Sequence, residues 1–137
     1  MEKTKTDYPL LLDRIKALFA DSVILIILMI VITDIFSLFE HVPDIARAIA
    51  FIFIFLLYDP IFTSIFGGTL GHRIIGIRVK KEANQNKNIS FPLALVRFIL
   101  KALLGWISLL TISSNVKKKA IHDMLVSSVV IYKKRNT

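Results

Sequence analysis

The sequence lacks cysteine altogether, and it carries few charges for its length. Without cysteine the chain has no disulfide, no cysteine-ligated zinc and no thiol catalysis. Proline and glycine are also scarce, with four and five among 137 residues, and 55% of the chain is hydrophobic, which excludes a disordered polypeptide. Charged residues make up 20%, against about 25% in average soluble domains. A soluble domain this small buries only about two thirds of its surface, so we predict a single-domain integral membrane protein.

Acidic residues are the scarcer of the two charged classes. Eighteen Lys and Arg oppose ten Asp and Glu, which gives a net charge of +8. A basic excess suits either nucleic acid or an anionic lipid surface. The long apolar segments favour the lipid bilayer with anionic headgroups as the partner, and we expect no nucleic-acid partner.

Three apolar segments divide the chain, at about 10–39, 45–66 and 92–113. The first would extend about 45 Å as a helix, which suits a membrane with its headgroup layers. It is too long for a signal peptide, and no small-residue cleavage site follows it. The short connection around Pro43 makes the second helix antiparallel to the first. Pro60, within the second segment, predicts a kink there.

The stretch 67–91 has a different composition and holds four of the five glycines. Apolar and polar residues alternate over 77–80 and 88–91, and the residues at 82–87 are typical of a turn. This pattern predicts a β-hairpin outside the bilayer. The β-branched run Ser128–Tyr132 is a candidate third strand, and we expect it to lie in one sheet with 77–81.

The distribution of Lys and Arg predicts the orientation. Four lie in the N-terminal arm, one in the first connection, five in the stretch 67–90 and six after Ser114. The positive-inside rule therefore places the N-terminus, the hairpin and the basic tail 114–137 in the cytoplasm. We predict an α-helical protein of the plasma membrane with two transmembrane helices and a small cytoplasmic β-element. The third helix is re-entrant or interfacial in preference to a third crossing.

Ionisable residues inside apolar segments are the strongest functional signal, because each costs at least about 2.5–3.5 kcal/mol at mid-bilayer. Asp21 and Asp59 fall at similar depth, about 10 Å from the cytoplasmic side. With Arg14, Arg97 and Lys101 as counter-ions, the two carboxylates could bind a cation or carry a proton. Alternatively they are structural: Asp21 pairs with Arg14 or Arg97, and Asp59 bonds backbone freed by Pro60. We favour the structural interpretation.

Other motifs give weaker indications of function than the ionisable residues of the apolar segments. The Gly-rich stretch 67–73 lacks phosphate-loop spacing and indicates a tight turn at the membrane surface. His122 and Asp123 are adjacent on a helix, so they do not face each other as a catalytic dyad would. The histidines are scattered, and no cofactor signature is present, so we expect neither a metal, a cofactor nor an enzyme. The triplet Lys117, Lys118 and Lys119 is a candidate contact for lipid headgroups.

The residues together resemble the RDD family of small membrane proteins, over about 11–132. The resemblance rests on these positions: Arg14, Asp21, Gly68–Val79, Arg97 and Ala120–Leu125. The family is named for one arginine and two aspartates, which implies Arg14, Asp21 and Asp123 here. This chain departs at His72, where a lysine is usual, at Ser127-Ser128 in place of Gly-Thr, and at Lys117–Lys119, a stretch where an arginine is common.

The resemblance implies transport of an undefined ligand, and a sodium/proton antiporter role has been proposed for some members. Two or three helices cannot enclose a pathway, so a transporter would have to be a homo-oligomer. The alternative is a non-catalytic scaffold or adaptor that binds a protein partner through its cytoplasmic β-element and basic tail.

Overall fold

The computed structural model describes residues 7–133. Its elements, in chain order, are α1 (Leu11–Ser37), α2 (Asp44–Phe66), α3 (Leu70–Ile75), β1 (Ile77–Lys81), α4 (Phe91–Leu104), a 3-10 segment (Gly105–Ser114), α5 (Ile121–Leu125) and β2 (Ser128–Tyr132). Three helical stretches are long and apolar enough to span a membrane: α1, α2 and α4 with the 3-10 segment. The predicted helical membrane protein with a small β-element is therefore confirmed.

The helices α1 and α2 lie within a few residues of the predicted bounds. Pro60 is inside α2, which remains helical as far as Phe66, and Gly67 ends that helix in the left-handed conformation with φ +76°. Glycine adopts this conformation without the Cβ clash of other residues, so it stops α2 at the predicted exit turn. Thr69 then caps α3: its hydroxyl accepts the backbone N–H of His72, and its own backbone N–H donates to the His72 ring.

The predicted hairpin within 67–91 is wrong. β1 pairs antiparallel with β2 instead, in the register Ile77 opposite Tyr132 and Lys81 opposite Ser128. The stretch 88–91 leads into α4, where Pro92 occupies the first turn and suits a helix start because it needs no amide donor there. The predicted strand at 128–132 and its pairing with 77–81 are confirmed.

The third apolar stretch is broken at Gly105, which has φ +54° and ψ −136° and ends α4. Beyond it the 3-10 segment leads back toward the sheet, because the Thr111 hydroxyl donates to the Lys119 carbonyl, and Lys119 pairs with Glu82 at the end of β1. Near its start, Ala94 packs in one cluster with Ile77 and Val79 of β1, so both ends of this stretch are connected to the sheet.

The apolar core is small and lies where the sheet meets α1 and α4. It consists of Ala17, Ile77, Val79, Ile89, Ala94 and Val130. Most large apolar side chains of α1 and α2 are instead exposed, as expected for helices that face lipid. The polar residues described next therefore occupy most of the interior beside this core.

Candidate functional site

Arg14, in the first turn of α1, is buried and joins α1 to the end of the chain. Its Nη1 lies 2.6 Å from Oδ2 of Asp123, and its Nη2 donates to the Lys118 carbonyl at 2.7 Å. These contacts connect residues more than 100 positions apart. The predicted site residues Arg14 and Asp123 therefore meet, a contact that their spacing along the chain did not indicate.

Asp123 is fully buried on α5 and contacts a second arginine. Arg97 Nε lies 2.9 Å from Oδ1, and the Ser128 hydroxyl donates to the same oxygen at 3.2 Å. Burial alone would raise the pKa of Asp123, but the guanidinium groups of Arg97 and Arg14 hold that pKa well below its usual range. The carboxylate is therefore ionised at neutral pH.

Arg97 extends the contacts to α2. Its Nη1 lies 3.9 Å from Oδ1 of Asp59, and Lys101, one turn further along α4, places Nζ 2.9 Å from Oδ2. Thr63 also donates to Asp59 at 3.1 Å. Arg14, Asp123, Arg97, Asp59 and Lys101 thus form one continuous charge network that links α1, α2, α4 and α5. Asp59 pairs with cations, so the prediction that it bonds backbone near Pro60 is wrong.

Asp21 lies outside this network. It accepts three hydrogen bonds from neutral donors: the Tyr58 hydroxyl at 2.7 Å, the Gly71 amide at 2.8 Å and the Thr69 hydroxyl at 2.6 Å. None of the ion pairs found in residues 7–133 includes it. The predicted pair with Arg14 or Arg97 is wrong, because the start of α3 occupies that side of α1.

The contact between α1 and α3 explains why a glycine is needed at position 71. A Cβ on Gly71 would lie 2.2 Å from the Ala17 carbonyl oxygen and 2.6 Å from Cγ of Asp21. Only a residue without a side chain lets the amide of α3 reach the carboxylate. In the sequence this glycine indicated only an exit turn, and Thr69 and Gly71 were missed as partners of Asp21. Tyr58, next to Asp59, was missed as well.

A cavity of about 330 Å³ lies between α1, α2 and α4. Asp21, Asp59 and Lys101 are its charged lining residues, so both carboxylates predicted at similar depth do border one space. The remaining walls are almost entirely apolar and include four aromatic rings: Phe55, Tyr58, Phe98 and Trp106. The Phe55 and Phe98 rings meet edge-on at 6.3 Å between centroids, which connects α2 to α4.

The lysine triplet faces both protein and solvent. Lys117 and Lys119 both pair with Glu82, and these two ammonium groups lower the pKa of Glu82 to about 2. Lys119 is only 8% exposed, so the predicted headgroup contact is wrong for this residue. For Lys117 and Lys118 it stays a prediction.

His122 does not form a dyad with Asp123, since its Nε2 lies 3.9 Å from the carboxylate. Its Nδ1 lies instead 2.7 Å from the hydroxyl of Ser108, which also accepts the His122 backbone N–H. Burial and the nearby Arg97 lower the pKa of His122 to about 3, so the ring is neutral. Ser108 is fully buried and does not line the cavity between α1, α2 and α4, and its contact with His122 joins the 3-10 segment to the start of α5.

Comparison with known proteins places these features in one family. No curated protein and no solved structure matches the chain. The family model described as "RDD family" matches residues 8–127, which is most of the chain and includes Arg14, Asp21 and Asp123. This membrane protein, with its buried arginine and aspartates, therefore belongs to the RDD family.

Proposed function

We propose that this protein transports a cation across the plasma membrane in exchange for protons, and that Asp21 in the cavity between α1, α2 and α4 binds the exchanged ions. The observation that carries the proposal is the contrast among the buried carboxylates. Asp59 and Asp123 are paired with cationic side chains, whereas Asp21 borders the cavity and accepts bonds from neutral donors alone. A carboxylate of this kind can take up a proton or a cation without first breaking an ion pair.

The charge of the cavity favours a cation. Its lining holds two carboxylates and one ammonium group, Lys101, so the net charge is −1. Aromatic side chains of α2, α4 and the 3-10 segment line the cavity, and the electron-rich faces of such rings attract cations in a site shielded from water. Apolar walls with one unbalanced carboxylate suit an organic cation better than a fully hydrated metal ion.

The transporter would act as a homo-oligomer. The cavity opens between helices of one chain, and three helical stretches cannot surround a continuous pathway. Many large apolar side chains of α1 and α2 are exposed and available for helix packing in the membrane. A second copy of the chain could close the open side of the cavity.

In the orientation we propose, both termini are cytoplasmic. The start of α1 contacts α5 and the tail through Arg14, and β2 pairs with β1 after the end of α2. These contacts collect the start of α1, the sheet and the described part of the basic tail at one end of the molecule, which the positive-inside rule places in the cytoplasm. The third apolar stretch then enters the membrane as α4 and returns after Gly105.

The alternative is a non-catalytic scaffold or adaptor. The observation that favours it is the charge network, in which the carboxylates of Asp59 and Asp123 are paired with cations of the same chain. A network of this kind stabilises one packing of the helices without any transported ligand. On this interpretation Asp21 serves only to hold α3 against α1, and the protein partner would bind the sheet and basic tail.

Flux measurements on the Asp21→Asn variant separate the two functions. Purified protein in sealed vesicles with an internal pH dye would be challenged with sodium, and separately with ethidium as an aromatic organic cation. We expect proton movement in the unaltered protein and its loss in Asp21→Asn. Asp34→Asn is the matched control, since it removes an exposed carboxylate from the same helix.

Asparagine can still accept bonds from Tyr58 and Gly71, so we expect Asp21→Asn to fold. Should it fail to fold, Ala102→Leu fills the cavity from an exposed position and should reduce flux without touching Asp21. Undiminished flux in a folded Asp21→Asn protein would exclude the proposed role of Asp21. Absence of flux in the unaltered protein would favour the scaffold.

A further inference from the structure

A second, much smaller cavity of about 20 Å³ lies within the charge network. Its polar lining consists of five side chains: Arg14, Arg97, Lys101, His72 and His122. Two leucines complete the lining, and none of the lining residues is acidic. The side chains that line this space are therefore cationic or neutral.

Two of these side chains carry buried donors without a partner. Arg14 Nε and Arg97 Nη1 have no hydrogen-bond acceptor among residues 7–133. Their side chains are 5% and 2% exposed, so bulk water does not hydrate them. The nearest ion-pair contact of Arg97 Nη1 is to Asp59, at 3.9 Å, which is too long for a hydrogen bond. Buried guanidinium donors are normally satisfied, so these two indicate an acceptor that the chain itself does not supply.

The charges of the network do not balance. Arg14, Arg97 and Lys101 contribute three positive charges, and Asp59 and Asp123, the carboxylates that contact them, contribute two negative ones, so these five contacting groups sum to +1. Asp21 is not counted here, because its three hydrogen-bond donors are neutral and it pairs with none of these cations. The two histidines add nothing, because burial and the neighbouring cations lower their pKa values and keep both rings neutral. An unbalanced charge is unfavourable away from water, and one monovalent anion would neutralise it.

We propose that this small cavity binds a single monatomic anion, chloride under ordinary conditions. Arg14 Nε and Arg97 Nη1 donate to it, and Lys101 supplies further positive charge. About 20 Å³ is a little more than one water molecule needs, so the space suits one small anion better than phosphate, sulfate or a carboxylate. The bound anion would connect α1 to α4 and would stabilise the fold independently of the transport proposed above.

The proposal predicts that stability depends on halide. The full chain, purified in detergent, would be unfolded thermally in sodium chloride and in sodium gluconate at the same ionic strength. We expect the melting temperature to rise with chloride by at least about 2 °C and then to saturate, because a ligand that binds only the folded state stabilises it. Bromide should substitute for chloride, and sulfate should not.

Lys101→Met is the diagnostic variant, since it reduces the network charge from +1 to zero. We expect it to lose the chloride dependence. Lys16→Gln removes one positive charge from an exposed position on α1 and should keep it. Crystals grown in bromide should also show an anomalous peak against Arg14 and Arg97, which tests the site even where Lys101→Met does not fold. A melting temperature independent of chloride, a halide effect that persists in Lys101→Met, or a cavity that holds only water would each overturn the proposal.

Discussion

Replacing Gly71 with alanine tests the contact that holds α3 against α1. The added Cβ would lie 2.2 Å from the Ala17 carbonyl oxygen and 2.6 Å from Cγ of Asp21, and the first of these atoms belongs to the helix backbone. That carbonyl cannot rotate away without breaking α1, so α3 must move outward. This movement breaks the 2.8 Å bond from the Gly71 amide to Asp21.

The expected loss of stability follows from these two effects. A hydrogen bond to a charged group contributes about 1.5–3 kcal/mol, and overpacking costs about 1–3 kcal/mol. Alanine recovers up to about 1 kcal/mol through its better helix propensity. We therefore expect Gly71→Ala to lower the free energy of unfolding by about 2–5 kcal/mol, measured by denaturation of the purified protein in detergent.

Gly76→Ala is the matched control, five residues further along. Gly76 has φ +89°, and a Cβ added there would meet nothing within 4 Å, so alanine faces only backbone strain of about 1–2 kcal/mol. In a second comparison, Gly71→Ala introduced into the Asp21→Ala variant should lower the free energy of unfolding little further, because the two changes remove the same hydrogen bond. The reasoning fails if Gly71→Ala is no more destabilising than Gly76→Ala, or if its effect adds fully to that of Asp21→Ala.

Two further predictions concern the end of the molecule that holds the sheet and the basic tail. The pKa of Glu82 falls from 4.5 to about 2 in the folded chain, so its ion pairs stabilise the fold above pH 4.5 and are lost as the pH falls toward 2. Glu82→Gln should consequently have the lower melting temperature above pH 4.5, and the difference should vanish in acid; a constant difference would contradict this. For the orientation, reporter fusions at Thr137 should give a cytoplasmic signal, whereas an external signal would indicate three full crossings.

Hydropathy alone predicts the main elements, because each depends on a local property. A membrane helix needs only an unbroken apolar run of sufficient length, and α1 and α2 follow that rule closely. The β-branched run at 128–132 likewise forms a strand where predicted. Both signals are contained within single segments of the chain.

The prediction of a hairpin was wrong because a strand can pair with a partner that is distant in the sequence. Alternating polar and apolar residues at 88–91 satisfy the same pattern as a strand, but Asn88 instead donates to the carbonyls of Ser64 and Ile65 at the end of α2. The chain then enters α4 with a proline in its first turn. The partner of β1 lies about fifty residues further along, and nothing within 77–91 specifies it.

The partners of Asp21 were missed for a related reason. Helical periodicity relates Asp21 only to neighbours on its own helix, such as Arg14, and a buried carboxylate then suggests a cationic partner. Its actual donors lie 37 to 50 residues away and are neutral. A backbone amide has no sequence signature, and the only available signal was the glycine that lets this amide approach.

The first helix, α1, shows that polar residues determine how the helices of this protein pack. Its buried residues are Arg14, Ala17 and Asp21, which share one face, while its large apolar side chains point outward. A soluble helix would bury the opposite face. In lipid the apolar side chains gain little from packing inward, so hydrogen bonds and ion pairs determine which helices meet. Exchanges among apolar residues on the outer face of α1 should therefore alter stability far less than changes that break the contacts of these three residues.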